Sequence, residues 1–279
     1  MNSDVCTVAA DVGNSALKLC VRRHESFVDK DDSNRLDEHS IYLDAPDWHT
    51  AAIDWVREHA GCNRTCWWIA SVHREAADQL GRAIERGDGS ASIKQVHSVD
   101  VPIQADVDDP GRVGVDRLLG AFAAWNRFKS AVVVVDAGSA ITVDWVCDQG
   151  HFHGGAIMPG LRLQTRVLAT GTDALPKIEW QQASTASECK PGTQACQRLR
   201  PAKNTVDAIR LGVLTGAAAG IDRLAEQYAS NQECANGDDP AAARLVVTGG
   251  DAAIISKYLR QQHQQVSNLA CRGLLQMAE

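Results

Sequence analysis

Two short stretches place an aspartate, a glycine and hydroxyl side chains where one apolar strand turns into the next. In the first, the apolar run that ends at Ala10 is followed by Asp-Val-Gly-Asn-Ser-Ala-Leu-Lys, residues 11–18. In the second, the run 132–135 is followed by Asp-Ala-Gly-Ser, residues 136–139. Glycine lets backbone N–H groups converge on a phosphate. Either stretch alone is more typical of an ordinary hairpin turn, but two matching stretches favour phosphate binding.

The aspartates of these stretches need a separate explanation, because a carboxylate and a phosphate repel each other. Asp11 and Asp136 fit a phosphate site if a cation such as Mg²⁺ lies between the two anions. The hydroxyls of Ser15 and Ser139 and the ammonium of Lys18 would be further donors. The sequence contains no G-x-x-x-x-G-K-[ST] segment, so the site is not a P-loop.

A third stretch, Gly-Val-Asp-Arg at residues 114–117, lies at the predicted start of a helix. A helix N-terminus stabilises a carboxylate in its ionised form, so Asp116 could accept a proton from a substrate hydroxyl. The guanidinium of Arg117 could bind a substrate carboxylate through two hydrogen bonds. The alternative is a capping aspartate beside a surface arginine, which is the better interpretation of this stretch in isolation.

Two glycine-rich stretches have both a binding and a structural interpretation. GGAIMPGL, residues 154–161, could lie along the floor of a cleft or form a structural turn. VVTGGDA, residues 246–252, could leave room for a flat ring such as adenine, although glycine is common where a strand turns into a helix.

Apolar periodicity predicts an alternation of strands and helices. The strands are predicted at 7–10, 17–21, 66–72, 100–107, 131–135 and 245–247, the fourth of them toward an edge because of Pro102. The helices are predicted at 51–60, 75–86, 115–128, 205–228 and 252–262. Residues 23–40 are predicted as a loop or exposed hairpin, and residues 184–204 and 230–243 as surface loops.

The two Asp-x-Gly stretches lie 125 residues apart (136 − 11), and each is flanked by apolar strands. This spacing matches one medium domain. It predicts duplicated halves, residues 1–129 and 130–279, with a ligand cleft between them. The predicted helix at 205–228 carries Gly212, Gly216 and Gly220 at intervals of four. This stripe is interpreted first as tight packing inside the fold and second as a subunit interface.

Composition narrows the class of protein. The chain has 279 residues, a net charge of −7 and 44% hydrophobic residues, which is typical of a globular protein without a basic surface for nucleic acid. No apolar run reaches membrane-spanning length, and the N-terminus does not resemble a signal peptide. We therefore expect a cytoplasmic protein with neither membrane nor nucleic acid as a partner. Most of its nine cysteines are expected to be reduced thiols, and their spacing does not indicate a structural zinc site.

Taken together, six motifs resemble those of type III pantothenate kinases. They are DVGNS, GVDR, DAGSAIT, GGAIMPGL, NTVDAIRLG and TGGDA, and they occur in the order typical of that family. Each motif is moderately specific, but six in order make the resemblance, which spans residues 8–274, a strong one. It implies an α/β fold of two duplicated ribonuclease-H-like domains with a cleft between them, as in the acetate and sugar kinase/actin-like superfamily.

The resemblance also implies an activity, the ATP-dependent phosphorylation of the 4′-hydroxyl of pantothenate, which is the first step of coenzyme A biosynthesis. It implies Asp116 as general base, a monovalent cation (K⁺ or NH₄⁺) at Asp136, and a homodimer. Mg²⁺ would accompany ATP near Asp11, directly or through water. The residues expected to contact ATP are Asp11, Val12, Gly13, Asn14, Ser15, Ala16, Leu17, Lys18 and Ser139. Those expected to contact pantothenate are Val107, Gly114, Val115, Asp116, Arg117 and Thr205.

Two positions depart from the family pattern. Val107 stands seven residues before the motif glycine, where the family usually has a substrate-contacting tyrosine, so a hydroxyl and an aromatic face are lost. Ser139 stands where threonine is usual, which keeps the hydroxyl. Two alternatives stay open. One is a regulatory or accessory protein on a kinase scaffold, and the other is a kinase of another small hydroxy acid, because fold alone does not fix the substrate.

Overall fold

The computed structural model describes residues 5–22, 36–178, 180, 200–230 and 243–279. In these residues the strands are β1 (Val5–Val12), β2 (Ala16–Arg22), β3 (Leu36–Tyr42), β4 (Arg64–Ser71), β5 (Ser92–Val96), β6 (Val132–Ala137), β7 (Ala140–Val146), β8 (Phe152–Pro159), β9 (Arg244–Thr248) and β10 (His263–Gln265). The α-helices are α1 (Trp48–Ala60), α2 (Arg74–Gly87), α3 (Val115–Phe128), α4 (Leu161–Gly171), α5 (Thr205–Ala229), α6 (Ala252–Ile255) and α7 (Leu269–Met277).

The chain divides into two compact units. The first contains Met1–Ala123 together with Asn268–Glu279, and the second contains Ala124–Ser267. This division falls inside α3, slightly before the boundary expected between residues 129 and 130. It also assigns α7, the last helix of the chain, to the first unit.

The first unit is built on a five-stranded sheet in the order β3-β2-β1-β4-β5. The pairs β1–β2 and β2–β3 are antiparallel, whereas β1–β4 and β4–β5 are parallel. Alternate residues of β1, including Val8 and Val12, form a core with Val56 of α1 and Leu80 of α2. Because strand residues alternate between faces, Asp11 lies on the opposite face from this core.

The C-terminal helix α7 completes the first unit. It packs on β1, and its Cys271 Sγ donates a hydrogen bond to the carbonyl oxygen of Lys18 at 3.4 Å. Arg272 of α7 forms an ion pair with Glu38 of β3. Gly273 lies so close to α3 that a Cβ atom there would be 2.6 Å from the carbonyl oxygen of Leu119. The last residues of the chain are therefore part of the core of the first unit.

The second unit repeats the topology of the first. Its sheet has the order β10-β9-β6-β7-β8, with β6–β7 and β7–β8 antiparallel and β6–β9 and β9–β10 parallel. Val133 and Val135 of β6 form a core with Val213 and Ile221 of α5, which leaves Asp136 on the opposite face. Since each strand of one sheet has a counterpart in the other, the structure confirms the predicted α/β fold with duplicated halves.

Two predicted elements are wrong. Residues 100–107 do not form a strand, because the N–H groups of Asp100, Val101 and Ile103 donate to carbonyl groups two or three residues earlier in local turns. The fifth strand of the sheet is β5 instead. The helix predicted at 252–262 ends at Ile255. The backbone N–H groups of Arg260 and Gln261 donate to the carboxylate of Asp222 at 3.1 to 3.4 Å, so they do not continue the helix.

The remaining loop predictions are covered only in part. Of residues 23–40, the last five belong to β3, which is antiparallel to β2 as the hairpin alternative requires, and residues 23–35 lie outside the described residues. Most of the loops predicted at 184–204 and 230–243 also lies outside them. Within the part of the chain that is described, none of the helices combines the length and apolar character needed to cross a membrane.

Candidate active site

The first Asp-x-Gly turn connects β1 with β2. Asp11 lies opposite Lys18 in the strand register, and its Oδ2 is 3.5 Å from Lys18 Nζ. The aspartate is 3% exposed, so Lys18 neutralises a buried carboxylate rather than standing at the tip of the turn. Asn14 and Ser15 are exposed at that tip. The tip is therefore the part of the turn that a ligand can reach.

The second Asp-x-Gly turn connects β6 with β7. Asp136 lies opposite Thr142 of β7 and opposite Thr248 of β9 in the strand registers, so an acid is flanked by two hydroxyl residues on neighbouring strands. The N–H of Gly138 donates to the carbonyl oxygen of Ala140 at 2.9 Å and closes the turn. Ser139 is exposed at its tip, where its hydroxyl is accessible to a ligand.

The Gly-Val-Asp-Arg stretch begins α3. Asp116 lies in the first turn of the helix, and its Oδ1 accepts a hydrogen bond from the backbone N–H of Arg117 at 2.8 Å. The absent side chain of Gly114 makes room for this carboxylate, because a Cβ atom there would be 2.5 Å from Asp116 Oδ1. The N-terminal N–H groups of a helix stabilise an anion. These two contacts thus hold the carboxylate in one place.

The other residues expected to contact the substrate lie at the edges of elements. Val107 is half-buried in the segment between β5 and α3, and Val115 is 5% exposed at the start of α3. Thr205 is the exposed first residue of α5. The preceding residue, Asn204, caps that helix, since its Oδ1 accepts the N–H of Asp207 at 2.9 Å. Helix starts thus carry Val115, Asp116, Arg117 and Thr205.

The donor atoms around the two turns fit the expected cations. Among the residues described, no group of three or more His, Cys, Asp or Glu side chains is placed to hold a metal ion. A Mg²⁺ ion near Asp11 would take most of its ligands from ATP and water, as this ion usually does. The burial of Asp11 and its ion pair with Lys18 fit contact through a water. At Asp136, a carboxylate and neighbouring hydroxyls are hard oxygen donors, which suit K⁺.

Comparison with known proteins decides the family. A family model described as type III pantothenate kinase matches residues 7–227. The chain belongs to the type III pantothenate kinase family. A type III pantothenate kinase of Rhodopirellula baltica is 36% identical to it over 97% of each chain, and one of Mycobacterium avium is 29% identical over 84% of this chain and 92% of its own. The predicted family and the predicted class of enzyme, a kinase, are confirmed.

A solved structure supports the fold of this kinase. A Campylobacter jejuni protein described as a Baf family transcriptional activator covers 97% of this chain and 96% of its own, with a TM-score of 0.54 and 18% identity. At this identity the likeness concerns the fold alone. In this fold, Asp11, Lys18 and Asp116 lie in the first unit, and Asp136, Ser139 and Thr205 lie in the second.

The sequence of this kinase did not reveal the close backbone contacts of two glycines, Gly160 and Gly249. Both lie in stretches that the sequence left undecided between a binding and a structural use. In the structure, each backbone lies directly against the second Asp-x-Gly turn, Gly160 at Gly138 and Ser139, and Gly249 at residues 136–137. The paired glycines were the available signal, but the groups that they face depend on how the strands are ordered in the sheet.

Proposed function

We propose that the chain transfers the γ-phosphoryl group of ATP to the 4′-hydroxyl of pantothenate, with Asp116 as general base. The single observation that carries the base assignment is the fixed carboxylate at the start of α3. Its Oδ1 is held by the N–H of Arg117 at 2.8 Å and lies against Gly114. A positioned carboxylate can accept the hydroxyl proton as the phosphoryl group moves, a contribution of about 10²- to 10⁴-fold. The product enters coenzyme A biosynthesis.

The neighbouring residues bind and orient pantothenate. Arg117 holds the substrate carboxylate through two parallel hydrogen bonds, which directs the far hydroxyl toward Asp116. Gly114 and Val115 offer backbone groups beside the base, and Thr205 offers a hydroxyl at the exposed start of α5. Val107 contributes apolar contact at the position where the family usually has a tyrosine. This chain therefore binds pantothenate without the hydroxyl of that tyrosine.

Donors from the Asp-x-Gly turns bind ATP. The exposed tip at Asn14 and Ser15, with the neighbouring residues of the segment 11–18, contacts the phosphates, and the Ser139 hydroxyl also contacts ATP. Mg²⁺ bound with ATP near Asp11 supplies charge neutralisation for the transferring phosphoryl group. Lys18 limits the negative charge that Asp11 would otherwise present to the phosphates.

The monovalent cation and the dimer complete the proposal. Asp136 binds K⁺ or NH₄⁺ beside the hydroxyls that lie opposite it in the sheet. The dimer forms through the small-residue side of α5, where Gly212 and Gly216 are exposed and a Cβ atom added at either would meet nothing within 4 Å. Gly220, in contrast, packs closely within its own unit, because a Cβ atom there would be 3.3 Å from the sulfur of Met158. The expected compartment is the cytoplasm.

A coupled assay of ADP release tests the function. It uses ATP, Mg²⁺ and K⁺ with pantothenate and with a panel of other small hydroxy acids. We expect turnover with pantothenate, and we expect Asp116→Asn to keep the thermal unfolding temperature while losing most of kcat. The matched control is Asp108→Asn, which changes an exposed acid outside the motif. Turnover confined to another hydroxy acid would favour the kinase alternative, and absence of any turnover would favour the regulatory one. Near-normal kcat in Asp116→Asn would reject the base assignment.

A further inference from the structure

The second Asp-x-Gly turn is shorter than the first. The last register pair before the turn is Val12–Leu17 in the first unit and Ala137–Ile141 in the second. Four residues connect the first pair and three connect the second. The two turns therefore differ in length by one residue, although they connect equivalent strands.

Gly160 packs on this turn from the β8 side. It follows the last residue of β8, and its N–H donates to the carbonyl oxygen of Ser139 at 3.1 Å. A Cβ atom at Gly160 would be 2.6 Å from that oxygen and closer still to the carbonyl oxygen of Gly138. Both oxygens belong to the backbone and cannot rotate away. The φ of −64° and ψ of 165° suit any residue, so glycine is required here for proximity and not for conformation.

Gly249 packs on the same turn from the β9 side. A Cβ atom there would be 2.6 Å from the carbonyl carbon of Ala137, and closer still to its oxygen and to Asp136 Oδ1. Its φ of +98° also favours glycine. Two residues later, the N–H of Asp251 donates to the carbonyl oxygen of Ala137 at 2.9 Å. The hairpin β6–β7 is thus enclosed by segments from the two strands that flank it.

The first unit has the same backbone contacts with side chains in place of the glycines. Leu43, the residue after β3, donates its N–H to the carbonyl oxygen of Ser15 at 3.0 Å, as Gly160 does to Ser139. Ser71 occupies the register position of Gly249, and its hydroxyl lies 3.3 Å from the carbonyl oxygen of Val12. The shared topology therefore does not require glycine at either position. The requirement belongs to the second turn.

We propose that Gly160 and Gly249 are positioning residues for the phosphoryl transfer, each for a different group of the second turn. Gly160 fixes the backbone at Gly138 and Ser139, and with it the position of the Ser139 hydroxyl that contacts ATP. Gly249 fixes the carboxylate of Asp136, which binds the monovalent cation. This inference rests on the proposed function, because it assigns the two sides of the turn to two ligands of the same reaction.

Alanine substitutions separate the two roles. In Gly160→Ala, the Gly138–Ser139 peptides must retreat by roughly 1 Å, so we expect the KM for ATP to rise about 10- to 100-fold. The K⁺ concentration for half-maximal activity should stay within about twofold. In Gly249→Ala, we expect the opposite pattern, with the half-saturating K⁺ concentration raised about 10-fold or more because the methyl group displaces Asp136 Oδ1. The control is Gly171→Ala, which has nothing within 4 Å of the new Cβ and should change neither constant.

Ligand binding measured in the absence of turnover tests the same two roles independently of activity. The affinity for a fluorescent ATP analogue and the rise in unfolding temperature on adding K⁺ are measured for each variant without pantothenate. A merely structural defect would weaken both ligands equally, and that result, or unchanged constants in both variants, overturns the proposal. If Gly249→Ala does not fold, Gly160→Ala decides alone, since its backbone needs no left-handed conformation. If the wild type binds nucleotide but does not phosphorylate pantothenate, the proposed function fails while the nucleotide test of Gly160 still stands.

Discussion

Gly114 lies directly against the carboxylate of Asp116, the predicted base. A substitution of Gly114 therefore tests the position of this carboxylate, whereas a substitution of Asp116 tests only its presence. In Gly114→Ala, the new Cβ atom would be 2.5 Å from Asp116 Oδ1. An ordinary contact begins near 3.4 Å, so the oxygen must move by about 0.9 Å. A misplacement of about 1 Å can cost on the order of 10²-fold in rate, which corresponds to about 2.7 kcal/mol of transition-state stabilisation. The acid itself remains present.

Steady-state kinetics of ADP release with pantothenate measure this effect. We expect kcat to fall by about 10²-fold, with the KM for ATP unchanged because the ATP turns are elsewhere in the sequence. The backbone at Gly114 is outside the left-handed region, so the unfolding temperature should stay close to that of the wild type. Gly111→Ala is the matched control. It also stands beside an aspartate, but its Cβ would be 3.7 Å from Asp109 Oδ1, which is an ordinary contact.

The outcome separates a positioned base from a carboxylate that happens to cap a helix. If Gly114→Ala keeps wild-type kcat and stability, the exact place of the Asp116 carboxylate does not matter for the reaction. The reasoning from the fixed geometry would then be refuted, even if Asp116→Asn were inactive. A loss of activity in Gly111→Ala of the same size would refute it as well.

Three further predictions concern buried ionisable groups. Burial raises the pKa of Asp251, and Arg162 opposes that rise. The folded state therefore binds a proton more readily than the unfolded state, and stability falls as pH rises from the ordinary aspartate pKa through the raised one. Asp251→Asn should unfold at a higher temperature than the wild type near pH 7 and lose this advantage toward pH 4. An advantage that is the same at both pH values contradicts this. Lys18→Met removes the ammonium that lies 3.5 Å from the buried carboxylate of Asp11. It should cost about 2–3 kcal/mol in urea unfolding, less than the roughly 3–5 kcal/mol of a fully buried pair because Lys18 is 21% exposed. An unchanged urea midpoint would reject it. A hydrogen bond with Cys20, together with burial, raises the pKa of Cys271 well above the ordinary thiol range. At pH 8, iodoacetamide should therefore leave Cys271 unmodified in the native protein. It should modify Cys62, which is partly exposed. Peptide mass spectrometry checks this, and early modification of Cys271 contradicts it.

The elements that sequence predicts best are those whose signal is local. The β-branched run 132–135 is a buried central strand whatever surrounds it, and the apolar spacing of 115–128 identifies α3 without reference to its neighbours. The placement of Asp116 at the start of that helix follows from the same spacing. Such features need only a short window of the chain.

The elements that sequence misses depend on partners far along the chain. Beyond the end of α6 at Ile255, the N–H groups of Arg260 and Gln261 donate to the carboxylate of Asp222 on α5 and not to the carbonyl groups of a continuing helix. The ion pair of Lys18 with Asp11 cannot be predicted from the sequence, because it depends on the strand register that places the two residues opposite each other. The glycine pairs near Gly160 and Gly249 are visible in the sequence. The carbonyl groups that these glycines approach depend on the order of the strands in the sheet.

The position of α7 has a consequence for how the protein is made. Residues 124–267 are synthesised between α7 and the rest of its unit, and at about 5–20 residues per second this takes roughly 7–30 s on the ribosome. During that interval β1 emerges without the helix that covers it. The first unit is therefore completed only after the second unit has been synthesised, and a truncation before residue 268 would leave the earlier-made unit open. A circular permutant that begins with α7 would remove this delay.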